Sequence, residues 1–430
     1  MAIPELSNRS DTNASRNYAL ALLIVINILS YVDRHMLPAF AAQITSDLDL
    51  SRQQFGLLTG FAFVGIYAIC GPLMGILADR FNPSRVIAAG IALWSVMTWL
   101  TGMSKNFLHI LLPRMAIGVG EAALHPAALG ILSRLFSTTG QATVFGLFFT
   151  GSHLGLGLAY WLAGTIGEAA GWRMVFYGLG AFGVVLTLVL LISSHLMPAT
   201  FSPPRHQTGA STPSVRSVVD QLWTVVCGNA AFRQAVLGIS TVHIIYASNQ
   251  FVQLWLVSEK NMPEAEAASL YGSVYLLCAI PASVLGGMTA DWFSRRFQST
   301  RALFVAIVII VTWPLVIMFR LSSPGEPDLI IGMIASILLL VFPYGAMIAL
   351  VLDEAPVSIR STATALTMFV VNVLAIGTVT YAIGAVADVL ESLGMPDPLT
   401  SALLGGDLIL LVTLVFYFRL HRSIQSRYDA

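Results

Sequence analysis

The apolar positions of this chain fall into long blocks, without the three-and-four spacing of a soluble amphipathic helix or the alternation of a strand. Twelve blocks are long enough, as helices, to cross ~30 Å of hydrocarbon. They lie near 17–43, 53–78, 85–104, 107–135, 141–168, 172–194, 231–258, 266–290, 300–320, 328–352, 358–388 and 400–420. Most are joined by a few polar residues. The stretch 195–230 differs, because its core, HLMPATFSPPRHQTGASTPSVRS, is rich in Pro, Ser and Thr with few large aliphatic residues, the make-up of a solvated linker. The pattern predicts an all-α membrane protein with a polar tail over 1–16 and a six-helix bundle over 17–194. The linker over 195–230, a second six-helix bundle over 231–420 and a short tail over 421–430 complete it.

Composition agrees and narrows the class. The chain is 56% hydrophobic and 10% charged, against roughly 25% charged residues in soluble domains. Its formal net charge is zero, so no basic field points to nucleic acid. Cys70, Cys227 and Cys278 sit in apolar or helix-start contexts without C-x-x-C or a histidine at metal spacing, and are expected to be small buried residues. The first 16 residues are polar, carry Arg9 and Arg16, and lack the apolar core of a signal peptide.

Arginine and lysine set the expected orientation. With the N-terminus inside, fifteen of the 22 fall in inner segments, while Arg52, Lys105, Arg173, Lys260 and Arg320 fall in outer loops. Arg34 and Arg114 lie within spans. That alternation supports the helix count and predicts that both termini are cytoplasmic; the expected location is the inner membrane of a bacterial cell.

Charges inside spans carry the chemistry. In the fourth block, LLPRMAIGVGEAALHPAALGILSRLF, Arg114 and Glu121 are two turns apart and share a face, ~10 Å apart along the axis. A charge at bilayer depth costs ~2.5–3.5 kcal/mol even on insertion scales. Asp33 and Arg34 sit past the middle of the first block, so two acids and two arginines are expected to meet with zero net charge. Burial favours a neutral carboxyl and a nearby guanidinium a charged one. If an anionic substrate draws the arginine away, the abandoned acid takes up a proton. Asp33 and Glu121 are therefore the candidate proton carriers, with Arg114 tuning them. Arg34 is the candidate for an anionic head group, which a guanidinium binds with two parallel bonds. Candidates for the rest of the substrate path are Tyr31, His125, His243, Tyr246, Asn249, Gln250 and Asn372. The charged cluster belongs to the first half, and spans of the second are expected to hold aromatics, methionine and amides. Asp353 and Glu354, at the end of the tenth block, are expected to be solvated.

The halves also repeat. Gly75-Ile-Leu-Ala-Asp79-Arg80 before Arg85 is matched by Gly287-Met-Thr-Ala-Asp291-Trp292 before Arg295 and Arg296. Gly75 and Gly287 are expected to allow close helix approach, and Asp79 and Asp291 to act with Arg80, Arg85 and Arg295 as a latch that forms in one state and breaks in another. Parallel halves with a site between them are one recurring transporter plan.

This inner-loop pattern resembles the signature of the major facilitator superfamily. Asn27-x-x-x-Tyr31-Val-Asp33-Arg34, Asp79-Arg80-Phe-Asn82 and Arg114-Met-Ala-Ile-Gly118-Val-Gly120-Glu121-Ala122 resemble its spinster group. The usual Gly-Arg-Arg/Lys tail of the loop is here Asn82-Pro83-Ser84-Arg85. The resemblance implies alternating access and export of sphingosine-1-phosphate or lysophospholipids, and Asp-Arg in the first span also resembles organic-anion and sugar-acid carriers. The expectation is a monomeric, proton-coupled secondary transporter for an anionic or zwitterionic amphiphile, with a small organic anion as the alternative. No cofactor or metal is expected. An intramembrane lipid-modifying enzyme would need motifs such as H-E-x-x-H or G-x-S-x-G, and ATP-driven transport a Walker A loop; none is in the sequence. A channel or receptor is disfavoured by the internal repeat.

Overall fold

The computed structural model describes residues 4–136, 141–201, 215–356 and 359–428. Among them every regular element is a helix, as hydrocarbon requires of a chain whose backbone groups must bond internally. The spans are α1 (Asn13–Ala39), α2 (Arg52–Ala78), α3 (Pro83–Gly102), α4 (Phe107–Leu135), α5 and α6 (143–170 and 172–196), α7 (230–258), α8 (Glu264–Arg296), α9 (Arg301–Leu321), α10 (Pro327–Asp353), α11 (Thr362–Ser392) and α12 (Pro398–Arg427). Gly171, at φ 75° and ψ 161°, separates α5 from α6. The first helix runs back to Pro4, into the expected polar tail, and two short helices, Pro198–Phe201 and Val215–Gly228, occupy part of the expected linker.

Short polar breaks end and start these helices by capping. Ser51 and Gln54 form a reciprocal capping box at the start of α2. Asn82, Asn106, Asn229 and Thr300 each accept a bond from a backbone N–H of the first turn that follows. Beyond α1, Asp47 accepts from the Trp172 indole at 2.8 Å and from Arg173 at 2.5 Å. These donors, the indole first, hold its carboxyl below the usual range. This tie contributes above the ordinary aspartate pKa and is lost as the pH falls through the lowered one.

Two compact units result. The first holds the chain to Asp49 and from Ile66 into the linker; the second holds Leu50–Gly65 and the chain from within the linker onward, the helix Val215–Gly228 included. The sequence places 50–65 in the first bundle, but its helix packs on α11. The reason is local. Gly60 breaks the α-helix, and a π-helical turn, Phe61–Gly65, follows. The Asp388 carboxylate caps the free N–H groups of Arg52 (3.1 Å) and Gln53 (2.8 Å). The Arg52 side chain pairs with Glu391. A Cβ on Gly56 would come 2.5 Å from the Thr380 carbonyl, and one on Gly384 would overlap that of Arg52.

The repeated glycines behave otherwise than expected. Among the described residues, a Cβ on Gly75 would meet only Pro126, at an ordinary 3.7 Å, and one on Gly287 would meet nothing within 4 Å. The close approach is made one residue earlier, by Gly286, where a Cβ would overlap the Phe342 carbonyl. Periodicity cannot say which of two adjacent glycines faces the neighbour. The cysteines also depart from expectation: Cys227 is exposed, and Cys70 and Cys278 are half-buried beside exposed Ile69 and Leu277. An apolar context is as much that of a lipid-facing position as of a core.

Gly286→Ala is expected to destabilise the protein by ~1–3 kcal/mol through overpacking, read as a lower melting temperature in detergent, whereas Gly287→Ala leaves it unchanged. Equal melting temperatures for the two variants would contradict this packing.

Candidate functional site

In the first unit, Asp33 and Arg34 on α1 meet Arg114 and Glu121 on α4. Arg34 donates to Glu121 Oε2 from Nη2 at 2.8 Å and Nε at 3.2 Å, and Ser30 donates to the same oxygen at 3.0 Å. Glu121 Oε1 has no hydrogen-bond partner among the described residues. The Glu121 side chain is fully buried, while 13% of Arg34's is exposed. The backbone of α4 also packs closely on α3. Gly90 and Gly120 approach so closely that a Cβ on either would lie 2.6–2.8 Å from the other's carbonyl. The helical run of α4 breaks just after Glu121, where the Ala123 N–H bonds Gly120 O, and resumes at Leu124.

Arg114 has a distinct task. Its Nη2 donates to the Arg34 carbonyl at 2.9 Å. Pro38, four residues on in the same helix, has no N–H to offer that carbonyl. The buried guanidinium fills the vacancy, and it lies within electrostatic reach of Asp33 and Glu121. Asp33 is 2% exposed and neither carboxylate oxygen has a hydrogen-bond partner among the described residues. Its neighbours are Glu121, Arg114 and Thr98.

Aromatic rings enclose Arg34. Its guanidinium carbon lies 4.6 Å from the Tyr31 ring centre and 4.8 Å from that of Tyr67, the geometry of cation–π attraction. The Tyr67 hydroxyl bonds His125 Nδ1 at 2.9 Å, and His125 stacks on Phe149. His35 stacks on Tyr31. Sequence reasoning missed Tyr67 and His35. Tyr67 is a single tyrosine in an apolar block, and His35 directly follows Asp33-Arg34, but neither spacing singles them out.

The second-unit candidates are more ordinary. His243 Nδ1 lies 2.7 Å from the Ile239 carbonyl, one turn back, and its ring meets Tyr344 edge-on. Asn249 accepts from Ser336, tying α7 to α10. Gln250 is buried, Tyr246 is half-buried, and Asn372 is half-buried in a π-helical stretch, Val371–Gly377. The expectation that this half holds no buried charge is wrong. Arg320 pairs with Asp407 at 2.9 Å, both side chains fully buried. Trp313 donates to the Asp407 carbonyl, and Arg320 lies over the rings of Phe319 and Trp255. Arg320 reads as an outer-loop residue because it ends α9, and its partner lies far away in a block that reads as apolar.

At the repeated loops, Asp291 pairs with Arg301 at 2.9 Å, and Arg301 also pairs with Asp353 at 3.1 Å. Arg295 bonds the Asp291 backbone. Arg80 and Arg85 are exposed, and the Asp79 side chain lies outside the described residues. Glu354 is buried, not solvated, and is held by Arg427 and Asn229. Among the described residues no group of His, Cys, Asp or Glu could hold a metal ion.

The Major Facilitator Superfamily model matches residues 23–380. A sphingosine-1-phosphate transporter of Xenopus tropicalis is 25% identical over 300 residues, 67% of this chain and 57% of that protein. A probable L-galactonate transporter of Escherichia coli is 29% identical over 285 residues, 64% of this chain and 62% of that protein. The chain thus spans about three-fifths of the length of these curated relatives. Among solved structures, a bacterial homologue of the human lysosomal transporter spinster, in an inward-facing and unoccupied conformation, superposes with a TM-score of 0.83 at 21% identity, covering 96% of this chain and 98% of that one.

The Arg320–Asp407 pair makes a sharp prediction. Asp407→Leu or Arg320→Met alone is expected to destabilise the protein by ~3–5 kcal/mol by stranding a buried charge, and the double variant to recover most of it. Melting temperatures of the three variants decide, and singles no less stable than the double would refute it.

Proposed function

The chain belongs to the major facilitator superfamily, and on that premise we propose that this multi-pass membrane transporter moves an amphiphile with an anionic or zwitterionic head by proton-coupled alternating access. The observation that carries the reading is the asymmetry of the Arg34–Glu121 pair, a fully buried acid held by a partly accessible arginine. An incoming phosphate or carboxylate competes for the guanidinium, which Tyr31 and Tyr67 keep oriented. Glu121 then loses its partner and takes up a proton, because an unpaired carboxylate is costly there. Asp33, buried beside it with neither carboxylate oxygen hydrogen-bonded among the described residues, is the second proton carrier. Arg114 holds α1 in place through the Arg34 carbonyl.

The lipid character of the substrate draws on the likeness to a sphingosine-1-phosphate transporter and on the spinster resemblance of Asn27 to Arg34. A small organic anion is the second reading, favoured by the likeness to a probable L-galactonate transporter. The latch of Asp291 would close through Arg301 rather than Arg295. The excess of arginine in alternate connections supports cytoplasmic termini, in a bacterial inner membrane.

Proteoliposomes given labelled lysophospholipid, with and without a pH gradient, test the reading. Native protein is expected to transport in proportion to the gradient. Arg34→Lys, which keeps charge but loses the parallel bonds, should fall about tenfold, as ~1.4 kcal/mol of lost binding implies. Asp33→Asn and Glu121→Gln should abolish the response to pH. Unchanged pH dependence in both variants would refute proton coupling; transport of a small acid without lipid movement would select the second reading.

A further inference from the structure

The helix Val215–Gly228 has no place in the transport chemistry, yet its geometry is specific. Its segment Asp220–Gly228 meets the start of α7 at 88°. A helix at a right angle to a membrane-spanning one runs along the membrane plane, at the level where that span enters hydrocarbon. The corner is bonded on both sides. Arg233 reaches back from α7 and donates to the Val226 and Cys227 carbonyls at 2.9 and 2.6 Å, closing the helix C-terminus with a cation. Asn229, in the corner itself, caps α7 and also bonds the Glu354 carbonyl.

At about 100° per residue, Val225, Leu222, Val226 and Trp223 share one arc of this helix, with Trp223 at its edge. Asp220, Gln221 and Thr224 fill the rest. Val225 is buried, where the helix rests on α7 and the start of α11. Trp223 lies at the other edge and is 70% exposed. An apolar arc that is half covered by the protein and continues into an exposed tryptophan suits one partner. We propose that this helix lies in the headgroup layer of the bilayer, with Trp223 as its lipid anchor, so that the connection between the two units is moored to the membrane. Aromatic rings favour this layer because one end is apolar and the other polar, and a helix lying in it buries an apolar side while its polar side stays wet.

Spin labels on single cysteines at 220, 223 and 224, in a Cys70→Ala, Cys227→Ala, Cys278→Ala background, test it in phosphatidylcholine–phosphatidylglycerol vesicles. The ratio of collision with oxygen to collision with an aqueous nickel chelate is expected to be several-fold higher at 223 than at 220 and 224. Equal ratios would place Trp223 on a wet face, and shielding of 223 from both reagents would place it under protein; either overturns the proposal. If Trp223→Cys does not fold, native protein and Trp223→Phe are compared in lipid brominated near the headgroup. Quenching that is the same in both overturns the proposal equally, and quenching lost in Trp223→Phe supports it.

Discussion

A guanidinium and a carboxylate at 2.8 Å, between two helices long and apolar enough to cross a membrane, are the contact on which the first unit depends. Neither charge is tolerable there alone, so α1 and α4 must cross where the two meet. The facing glycines 90 and 120 pack α3 closely on α4, and the helical run of α4 breaks just after Glu121. Pro38 adds a second demand, a carbonyl with no donor in its own helix, and Arg114 meets it. Two arginines on one small cluster therefore divide their work, one holding a side chain and the other a backbone.

The second unit carries a charge pair of the same chemistry with the opposite exposure. Arg320 and Asp407 are sealed from every side, whereas Arg34 keeps an open edge between two tyrosine rings. Burial that complete leaves no route for an incoming anion. The two pairs share their signs and nearly their distance, 2.8 and 2.9 Å, and differ in access.

Much of the fold was legible because hydrocarbon imposes a length on every apolar block and forbids backbone groups without partners. Asp33, Arg34, Arg114 and Glu121 stood out for the same reason, as charges in such blocks. Pairing was not legible. Nothing in the spacing says that Glu121 would take Arg34, that Arg114 would serve a carbonyl, or that Asp407 would find Arg320. Those depend on which faces of distant helices meet, and adjacent residues such as Gly286 and Gly287 differ there by about 100° of rotation. Tyr67 escaped because a tyrosine in an apolar block is compatible with packing alone.

Where α2 passes from one unit to the other it runs through Phe61–Gly65, a π-helical turn, and α11 has its own at Val371–Gly377. A π turn holds an additional residue compared with an α turn. Side chains before and after it are therefore out of phase with any single helical wheel drawn through the whole span. Removing one residue from such a turn would restore an ordinary α-helix and rotate one end of the span against the other, with every other side chain kept. For these two helices, chain length is a variable separate from composition: a one-residue insertion or deletion would re-aim half a helix, which no point substitution does.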